Sequence, residues 1–349
     1  MFLYYYTSAE TMKYILTNGD IYATHISYLN DSEEYINGLR ELCDVIKDMP
    51  PGTDKDGNFN YEEAKREIPQ LFSISFSKEA DLLSQWFMYA RESGVRLGMD
   101  FGRKKKQKLL VKRKLQPDKV DEKKSIALEL KDVHYFTKIG MPLKEFKSER
   151  KRIIKTIEAY AKEMGIEDDF DSNRVRLWKG IAPYIKNYEF RQEKEVRLVY
   201  NASSDEDLVE YRNANGVMVP YVDIFRENGW PVVEIMVGPG RNQTRVFNSI
   251  CHFVDHNDLI IPDIDQKKTM EYFVDGLSSY QVEERDINEC KDLINETVEK
   301  GRGILTYKEQ IYDVLRGKIG LDHAYLERNY YSRRGIIVRK SNVPYVYSN

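Results

Sequence analysis

The order of apolar and polar residues at the start of the chain predicts a strand, a helix and a second strand. "MFLYYYT" and "DIYATHISYLN" have the composition of strands, and "SAETMKYILTNG" between them has the spacing of a helix. Ser8 is a suitable N-cap and Gly19 a suitable C-cap for that helix. Met12, Ile15 and Leu16 lie between the caps at helical spacing, so they should form its buried face.

Two later segments alternate with the period of two that is typical of strands. In "LFSISFS" Phe72, Ile74 and Phe76 fall on one face and Ser73, Ser75 and Ser77 on the other. In "RQEKEVRLVY" the charged residues Glu193, Glu195 and Arg197 stand at every second position among apolar neighbours. This pattern predicts a strand over residues 191–200 with two carboxylates and one guanidinium on the same face.

The same kind of pattern indicates how the whole chain is organised. A second helix should follow residue 30, with Asn30 or Asp31 as its cap and Glu33 or Glu34 closing a capping box. Further along the chain, predicted strands and helices follow one another without a regular repeat, which predicts an α+β fold with a mixed sheet and flanking helices. We divide it into a core over residues 1–261, a charged helical insertion over 262–329 and a strand over 330–349 that returns to the core.

Composition and charge narrow the function classes only slightly. The chain has 349 residues and a formal net charge of -3, so global charge favours no class of partner. Three widely spaced cysteines indicate neither a disulfide framework nor a zinc site, and no segment resembles a leader or a membrane span. A cytoplasmic protein is therefore expected. One local exception is the run from Arg103 to Lys114, in which eight of twelve residues are basic.

Two features have both a functional and a structural interpretation. The basic run suits phosphate neutralisation, although such a run can also be a solvated edge strand or a loop. His252 and His256 lie one helical turn apart beside Cys251 and Asp255, a spacing compatible with zinc. No fourth ligand is evident from the sequence, so we expect no metal site here.

Several motifs, in order, resemble those of the DUF2971 family, a bacterial and phage group. They are "LYYYTSAETMKYILTNGDIYATHISYLNDSEE", "FSISFSKEADLLSQWFMYARESGVRLGMDF", "YEFRQEKEVRLV" and "IIVRKSNVPYV", and they cover nearly the whole chain outside the helical insertion. The family is distantly similar to the ADP-ribosyltransferase superfamily, which implies a mixed, split β-sheet core of that type. It also implies NAD as a substrate.

The resemblance assigns roles to individual residues. In transferases with an E-x-E strand the second glutamate is catalytic, which implies Glu195 as the catalytic residue and Glu193 as the group that handles the acceptor. Arg197 would limit the repulsion between the two carboxylates or touch a phosphate. The remaining cofactor-binding residues that the resemblance implies are Tyr5, Tyr6 and Thr7 for the ribose or amide, Ser75 and Ser77 for positioning, and Trp86 or Tyr89 for stacking on nicotinamide. Many relatives have histidine where this chain has Tyr5.

Three functional hypotheses follow. The first is an NAD-dependent ADP-ribosyltransferase that modifies a nucleic acid or a protein, as a bacterial toxin or anti-phage effector with a possible antitoxin partner. The second is a catalytically silent module of the same fold that binds a nucleotide or a partner. The third is a metal-dependent nuclease that uses Glu193, Glu195 and the basic run. The charged strand face also has a structural interpretation, as a ladder of surface ion pairs.

Overall fold

A computed structural model describes residues 1–29, 33–46, 68–90, 94–113, 122–137, 140–163, 165, 180–214, 216–262, 271, 274, 284–299, 330–333, 336–341 and 343. Within them the strands are β1 (Phe2–Ser8), β2 (Asp20–His25), β3 (Leu71–Ser77), β4 (Gly94–Asp100), β5 (Lys106–Arg113), β6 (Glu122–Glu129), β7 (Lys131–Asp132), β8 (His134–Tyr135), β9 (Ile185–Lys186), β10 (Glu195–Asn201), β11 (Glu210–Ala214), β12 (Val217–Phe225), β13 (Val232–Val237), β14 (Tyr330–Arg333) and β15 (Ile336–Lys340). The α-helices are α1 (Ala9–Asn18), α2 (Glu34–Ile46), α3 (Leu83–Gln85), α4 (Leu143–Glu163), α5 (Gln243–His256) and α6 (Glu284–Glu299). The fold is α+β, as the sequence predicts.

The chain divides into two compact units, and each is built from separate stretches of sequence. Unit 1 contains residues 1–19, 80–102 and 228–349, and unit 2 contains residues 20–79 and 103–227. Most of the predicted helical insertion, 262–329, lies outside the described residues, so it stays a prediction. Helix α6 lies within it.

Unit 1 has a mixed sheet in the order β14-β15-β13-β4-β1. Strands β13 and β15 are parallel, and the other neighbouring pairs are antiparallel. Helix α1 begins and ends as its sequence predicts: the Ser8 hydroxyl accepts a hydrogen bond from the Thr11 amide, and Gly19 ends the helix with a left-handed φ of 78°. Its buried residues are Met12, Ile15 and Leu16.

Unit 2 has an antiparallel sheet in the order β10-β3-β2-β12-β5-β6. Strand β7 pairs with β10, and β11 pairs with β12. Helices α2 and α4 contribute to one hydrophobic core in this unit, with members such as Ile36, Leu39, Ile153 and Ile157. The predicted caps Asn30 and Asp31 of α2 lie outside the described residues.

A glycine allows helix α2 to approach the short segment before β9. A Cβ atom at Gly38 would lie 2.6 Å from the backbone oxygen of Ala182, closer than real Cβ contacts allow. Gly38 is on the first turns of α2, which starts at Glu34, and Ala182 is a few residues before Lys186. This close contact therefore brings the start of α2, which carries Glu34, near the segment that leads into β9, which carries Lys186.

The basic run forms an inner strand of unit 2. Strand β5 pairs with β6 on one side and with β12 on the other, so the interpretation as an unpaired edge strand is wrong. Gln107, Leu109 and Val111 are buried, whereas Lys106 and Lys108 between them are exposed. The alternation explains how a strongly basic segment fits inside a sheet, since only its apolar half enters the core.

Candidate functional site

Five charged side chains of unit 2 meet in one buried cluster, which we call the glutamate cluster. It consists of Glu34, Lys186, Glu193, Glu195 and Arg197, each no more than 6% exposed. Three carboxylates face two cations, so the fully ionised cluster carries one net negative charge. Such a buried group of charges is costly unless every member is paired, and the contacts below show how the pairing is achieved.

The local backbone differs from the predicted strand over residues 191–200. Strand β10 begins only at Glu195, and Glu193 ends a 3₁₀ turn that begins at Tyr188. Lys194 between the two glutamates has a left-handed φ of 43°, which interrupts the extended conformation. The prediction that both glutamates alternate along one strand is therefore wrong, although both carboxylates still reach the same cluster.

Strand pairing places Glu195 and Arg197 beside two serines of β3. Glu195 lies opposite Ser77 and Arg197 lies opposite Ser75 in the register of β10 and β3. The Ser75 hydroxyl hydrogen bonds the Glu195 carboxylate. The Ser77 hydroxyl donates to the backbone oxygen of Glu193 at 2.6 Å and so fixes the turn before β10. Ser75 thus contacts the side chain of Glu195 and Ser77 the backbone of Glu193, and the positioning role implied for them stays a prediction.

Arg197 holds Glu195 through a two-point contact. Its Nε and Nη2 donate to the two oxygens of Glu195 at 2.6 and 2.9 Å. Its Nη1 donates to the backbone oxygen of Pro183 at 2.6 Å, and its Nη2 also pairs with Glu34. Bidentate guanidinium contacts of this kind are among the strongest hydrogen bonds in proteins, so Arg197 keeps Glu195 and Glu34 together despite their like charges.

Lys186 supplies the second cation. Its Nζ donates to Glu193 at 2.7 Å and to Glu195 at 3.1 Å, and it forms an ion pair with Glu34 at 3.4 Å. The Phe190 ring lies 5.0 Å from the same Nζ. A metal ion between these carboxylates would have to compete with the ammonium group of Lys186.

The two glutamates of the E-x-E motif have opposite pKa shifts. Burial would raise the pKa of Glu195, but Arg197 and Lys186 outweigh it and hold the pKa well below its usual range. Burial also raises the pKa of Glu193, and here Lys186 offsets only part of the effect, so the pKa stays above its usual value. Opposite shifts in one cluster are the usual basis for dividing acid–base roles between two carboxyl groups.

No pattern in the sequence assigns a functional role to Glu34 or Lys186. The sequence predicts Glu33 or Glu34 as the glutamate of a capping box, whereas the Glu34 carboxylate pairs with Arg197 and Lys186. Lys186 stands in "YIKNYEF", where one lysine among aromatic residues predicts nothing in particular. Its burial, at 6% exposed, is unusual for lysine and becomes visible only in the fold.

The other predicted site residues belong to unit 1. Tyr6 packs edge-on against Trp86 with ring centroids 4.9 Å apart, and its hydroxyl accepts a hydrogen bond from the Leu82 amide. Trp86 is buried and donates its indole N–H to Asp81 at 2.6 Å. Tyr5 and Thr7 are on β1, the first partly and the second largely buried, and Tyr89 is exposed. The Trp86 side chain therefore packs against Tyr6 and hydrogen bonds Asp81, and its stacking on nicotinamide stays a prediction.

The two histidines with zinc-like spacing stack on each other. The rings of His252 and His256 lie 4.1 Å apart, and Nδ1 of His256 is 2.8 Å from the backbone oxygen of His252. In the part of the chain that the structure describes, no group of three or more histidine, cysteine, aspartate or glutamate side chains is placed to hold a metal ion. No helix in that same part is long and apolar enough to span a bilayer.

Comparison of the sequence and the structure with known proteins finds no match. No family model, no curated protein and no solved structure matches this chain. The resemblance to the DUF2971 and ADP-ribosyltransferase motifs therefore stays a prediction from the sequence, and the functional argument depends on the glutamate cluster.

The opposite pKa shifts predict opposite effects of pH on stability. Glu195 has a lowered folded pKa, so its ionised form stabilises the fold above the unfolded pKa of about 4.3, and this contribution is lost as the pH falls through the folded value. Glu193 has a raised folded pKa, so its protonation favours the fold as the pH falls. We expect Glu195→Gln to flatten the acid-induced loss of stability and Glu193→Gln to steepen it.

Urea unfolding of wild type and both variants at pH 7, at about pH 4.5 and at about pH 3 tests this prediction, because the contribution of Glu195 is lost mainly below its unfolded pKa. At pH 7 Glu193→Gln should be neutral or slightly stabilising, because the glutamine resembles the protonated acid and still accepts from Lys186. Equal slopes with pH in the two variants would show that the carboxyl groups do not have the opposite shifts described here.

Proposed function

We propose that the protein is an ADP-ribosyltransferase that uses NAD as its substrate and modifies a macromolecule. The observation that carries the proposal is the pairing of an ionised Glu195 with a Glu193 of raised pKa in a cluster of net negative charge. Cleavage of the bond between nicotinamide and ribose develops positive charge on the sugar, as glycoside cleavage does. A negative cluster beside the sugar would stabilise that charge.

In this proposal the two glutamates have separate roles. Glu195 stays ionised, stabilises the developing positive charge and accepts a hydrogen bond from the ribose. Glu193 takes the proton of the attacking hydroxyl or amine as the new bond to ribose forms and nicotinamide leaves with the electrons of the old bond. Lys186 donates to both carboxylates, so it fixes their positions and reduces the repulsion between their charges.

One feature of the cluster favours a second candidate, a binding module without catalysis. The Glu195 carboxylate accepts from Arg197 twice, from Lys186 once and from Ser75 once, which uses about four acceptor positions, its full capacity. A ribose hydroxyl can reach it only by displacing Lys186 or Ser75. If that exchange does not occur, the cluster orders unit 2 without reacting.

The acceptor in the first proposal is a nucleic acid or a protein. The exposed face of β5 favours a nucleic acid weakly, since Lys106 and Lys108 are exposed and the exposed Lys123 of β6 lies on the same face. Lys124 lies on the other face, where it is paired with Asp205. The net effect is a small basic surface that suits a phosphate backbone.

The decisive experiment incubates the purified protein with NAD labelled in its adenylate phosphate and with a bacterial lysate. We expect label in either the protein or the nucleic-acid fraction, together with release of nicotinamide. If the nucleic-acid fraction is labelled, and if this label decreases in the double variant Lys106→Glu/Lys108→Glu, the acceptor is a nucleic acid that binds through β5. NAD that binds but is recovered intact in every fraction would contradict the transferase proposal and support the binding module.

A further inference from the structure

Six exposed cations lie together on unit 2, just before β5, on β5 and on the neighbouring strand β6. We call them the β5 basic surface, and its members are Arg103, Lys104, Lys105, Lys106, Lys108 and Lys123. The register of β5 and β6 places Lys123 on the same face as Lys106 and Lys108. Gln107 lies on the opposite face and is buried, and its amide donates to the backbone oxygen of Lys104 at 2.5 Å. This bond fixes the segment that leads into the strand, so the surface is held in place by the sheet.

The cations of the β5 basic surface are not neutralised by neighbouring carboxylates. Within the described part of the chain none of the six forms an ion pair. The other lysines of β5, β6 and β7 each form one: Lys112 with Asp20, Lys124 with Asp205 and Lys131 with Glu129. Glu129 even lies opposite Lys106 in the register, yet its carboxylate is paired with Lys131 at 3.8 Å. Carboxylates are therefore present beside this surface without compensating its charge.

This concentration of positive charge contrasts with the rest of the molecule. The formal net charge of the chain is -3, so acidic residues are available to pair with basic ones. Exposed lysines elsewhere on unit 2 use them, as Lys78 does with Asp132 and Lys194 with Glu79. Adjacent like charges repel each other, so six uncompensated cations do not stabilise the fold. They do create a local positive potential that attracts an anionic partner.

We propose that the β5 basic surface binds single-stranded nucleic acid through its phosphate backbone. Five of the six cations follow one line from residue 103 to residue 108, as the phosphates of a single strand do, whereas a duplex presents two lines on either side of a groove. Alternate residues of a β-strand are about 6.7 Å apart, so Lys106 and Lys108 are spaced to contact neighbouring phosphates. Contacts to phosphate carry no sequence information, so we expect binding that does not depend on sequence.

The residues around the cations distinguish this partner from a lipid surface. Proteins that lie on membranes combine basic residues with large apolar side chains that enter the lipid. On the face that carries Lys123, the next exposed residues of β6 are Ser125 and Ala127, which are too small or too polar for that role. The composition of this face therefore favours a hydrophilic polyanion.

The β5 basic surface lies on the same face of the sheet as part of the glutamate cluster. The registers of β10, β3, β2, β12 and β5 place Glu195 and Arg197 on one face together with Lys106 and Lys108. Strands β3, β2 and β12 lie between β10 and β5, which separates these two strands by roughly 19 Å. Binding itself requires neither NAD nor the glutamates, so it does not depend on the proposed transferase activity.

Fluorescence anisotropy of a labelled oligothymidylate tests the proposal on the full-length protein without NAD. The titration is repeated at potassium chloride concentrations between about 50 and 200 mM, and we expect saturable binding that weakens as the salt concentration rises. The double variant Lys106→Gln/Lys108→Gln should bind about tenfold more weakly or worse. It should also reduce the slope of log K against log salt concentration by about 1.4, because each phosphate contact on a single strand contributes about 0.7.

The matched control is Lys144→Gln/Lys147→Gln, which removes two exposed lysines from α4 of the same unit. It loses the same charge, so it should keep the wild-type slope if the β5 basic surface is the binding site. An equal loss of affinity in both double variants would overturn the proposal, because the protein would then attract the oligonucleotide only through its net charge. Absence of binding by the wild type at the lowest salt concentration would overturn it as well.

Three competing ligands test the class of partner: a hairpin duplex, polyglutamate and vesicles of anionic phospholipid. Each should displace the labelled oligothymidylate less effectively than the unlabelled oligothymidylate does. A ligand that displaces it more effectively would overturn the proposal and identify a duplex, an acidic protein segment or a lipid surface as the partner. Oligothymidylate binding in a protein that leaves NAD intact would support this surface and contradict only the transferase proposal.

Discussion

Replacing Glu195 by glutamine is expected to lower kcat for ADP-ribose transfer by about 100- to 1,000-fold, the range seen when one electrostatic stabiliser of a transition state is removed. Glutamine keeps the size of the side chain and accepts a hydrogen bond, but it lacks the negative charge that opposes the positive charge on the sugar. Because the substrate before reaction has less of that charge, KM for NAD should change much less than kcat.

The control for this prediction is Glu189→Gln. Glu189 lies in the same 3₁₀ turn as Glu193, but it is exposed and its backbone amide is capped by Asn187. It should keep wild-type activity. Single-turnover measurements of nicotinamide release, made where both variants are fully folded by circular dichroism, give the comparison. A Glu195→Gln enzyme with more than half of the wild-type kcat would remove Glu195 from the chemistry and leave its ion pairs as its main role.

The same experiment with Glu193→Gln separates the roles of the two glutamates. If Glu193 only accepts the proton of the acceptor, this variant should lose transfer to the macromolecule but keep slow hydrolysis of NAD, because water is present in excess. A loss of both reactions would assign both glutamates to cleavage of the nicotinamide bond.

Local patterns in the sequence were sufficient for the elements whose structure is decided by their own residues. Ser8 and Gly19 bound helix α1 because a hydroxyl cap and a left-handed glycine act within one turn. Strand β3 covers Leu71–Ser77, the segment whose period of two predicts it. In these cases the physical cause lies within about ten residues of sequence, so reading the chain locally is enough.

The composition of the glutamate cluster required the tertiary fold. Glu34 meets Arg197 across more than 160 positions of sequence, and the contact depends on the close approach of α2 that Gly38 permits. The left-handed conformation of Lys194 could not be predicted from its residue type, since it is neither glycine nor asparagine. The division into two units, each built from separate stretches of the chain, could not be predicted either, because strand and helix periodicities report only on local structure.

Replacing Arg197 by methionine is expected to have the largest effect on stability, a loss of about 3–5 kcal/mol in the free energy of unfolding. The variant removes the only bidentate partner described for Glu195 and the closest described partner of Glu34. Lys186 is then the one remaining cation of the cluster beside three buried carboxylates. Methionine fills most of the space, so the loss measures unpaired charge rather than a cavity. Urea unfolding at pH 7 measures it, with exposed Arg191→Met as the control.

A double-mutant cycle shows whether this loss comes from charge. If Arg197 stabilises the fold because it neutralises Glu195, then Glu195→Gln should recover part of the stability lost in Arg197→Met, with a coupling of about 0.5–3 kcal/mol. Protonation should act in the same direction, so the deficit of Arg197→Met should shrink as the pH falls from 7 towards 5 and the unpaired carboxyl groups bind protons. A deficit that is independent of pH and additive with Glu195→Gln would assign the role of Arg197 to packing and to its bond with Pro183. The cluster would then be a rigid part of unit 2, which would favour the binding module over the transferase.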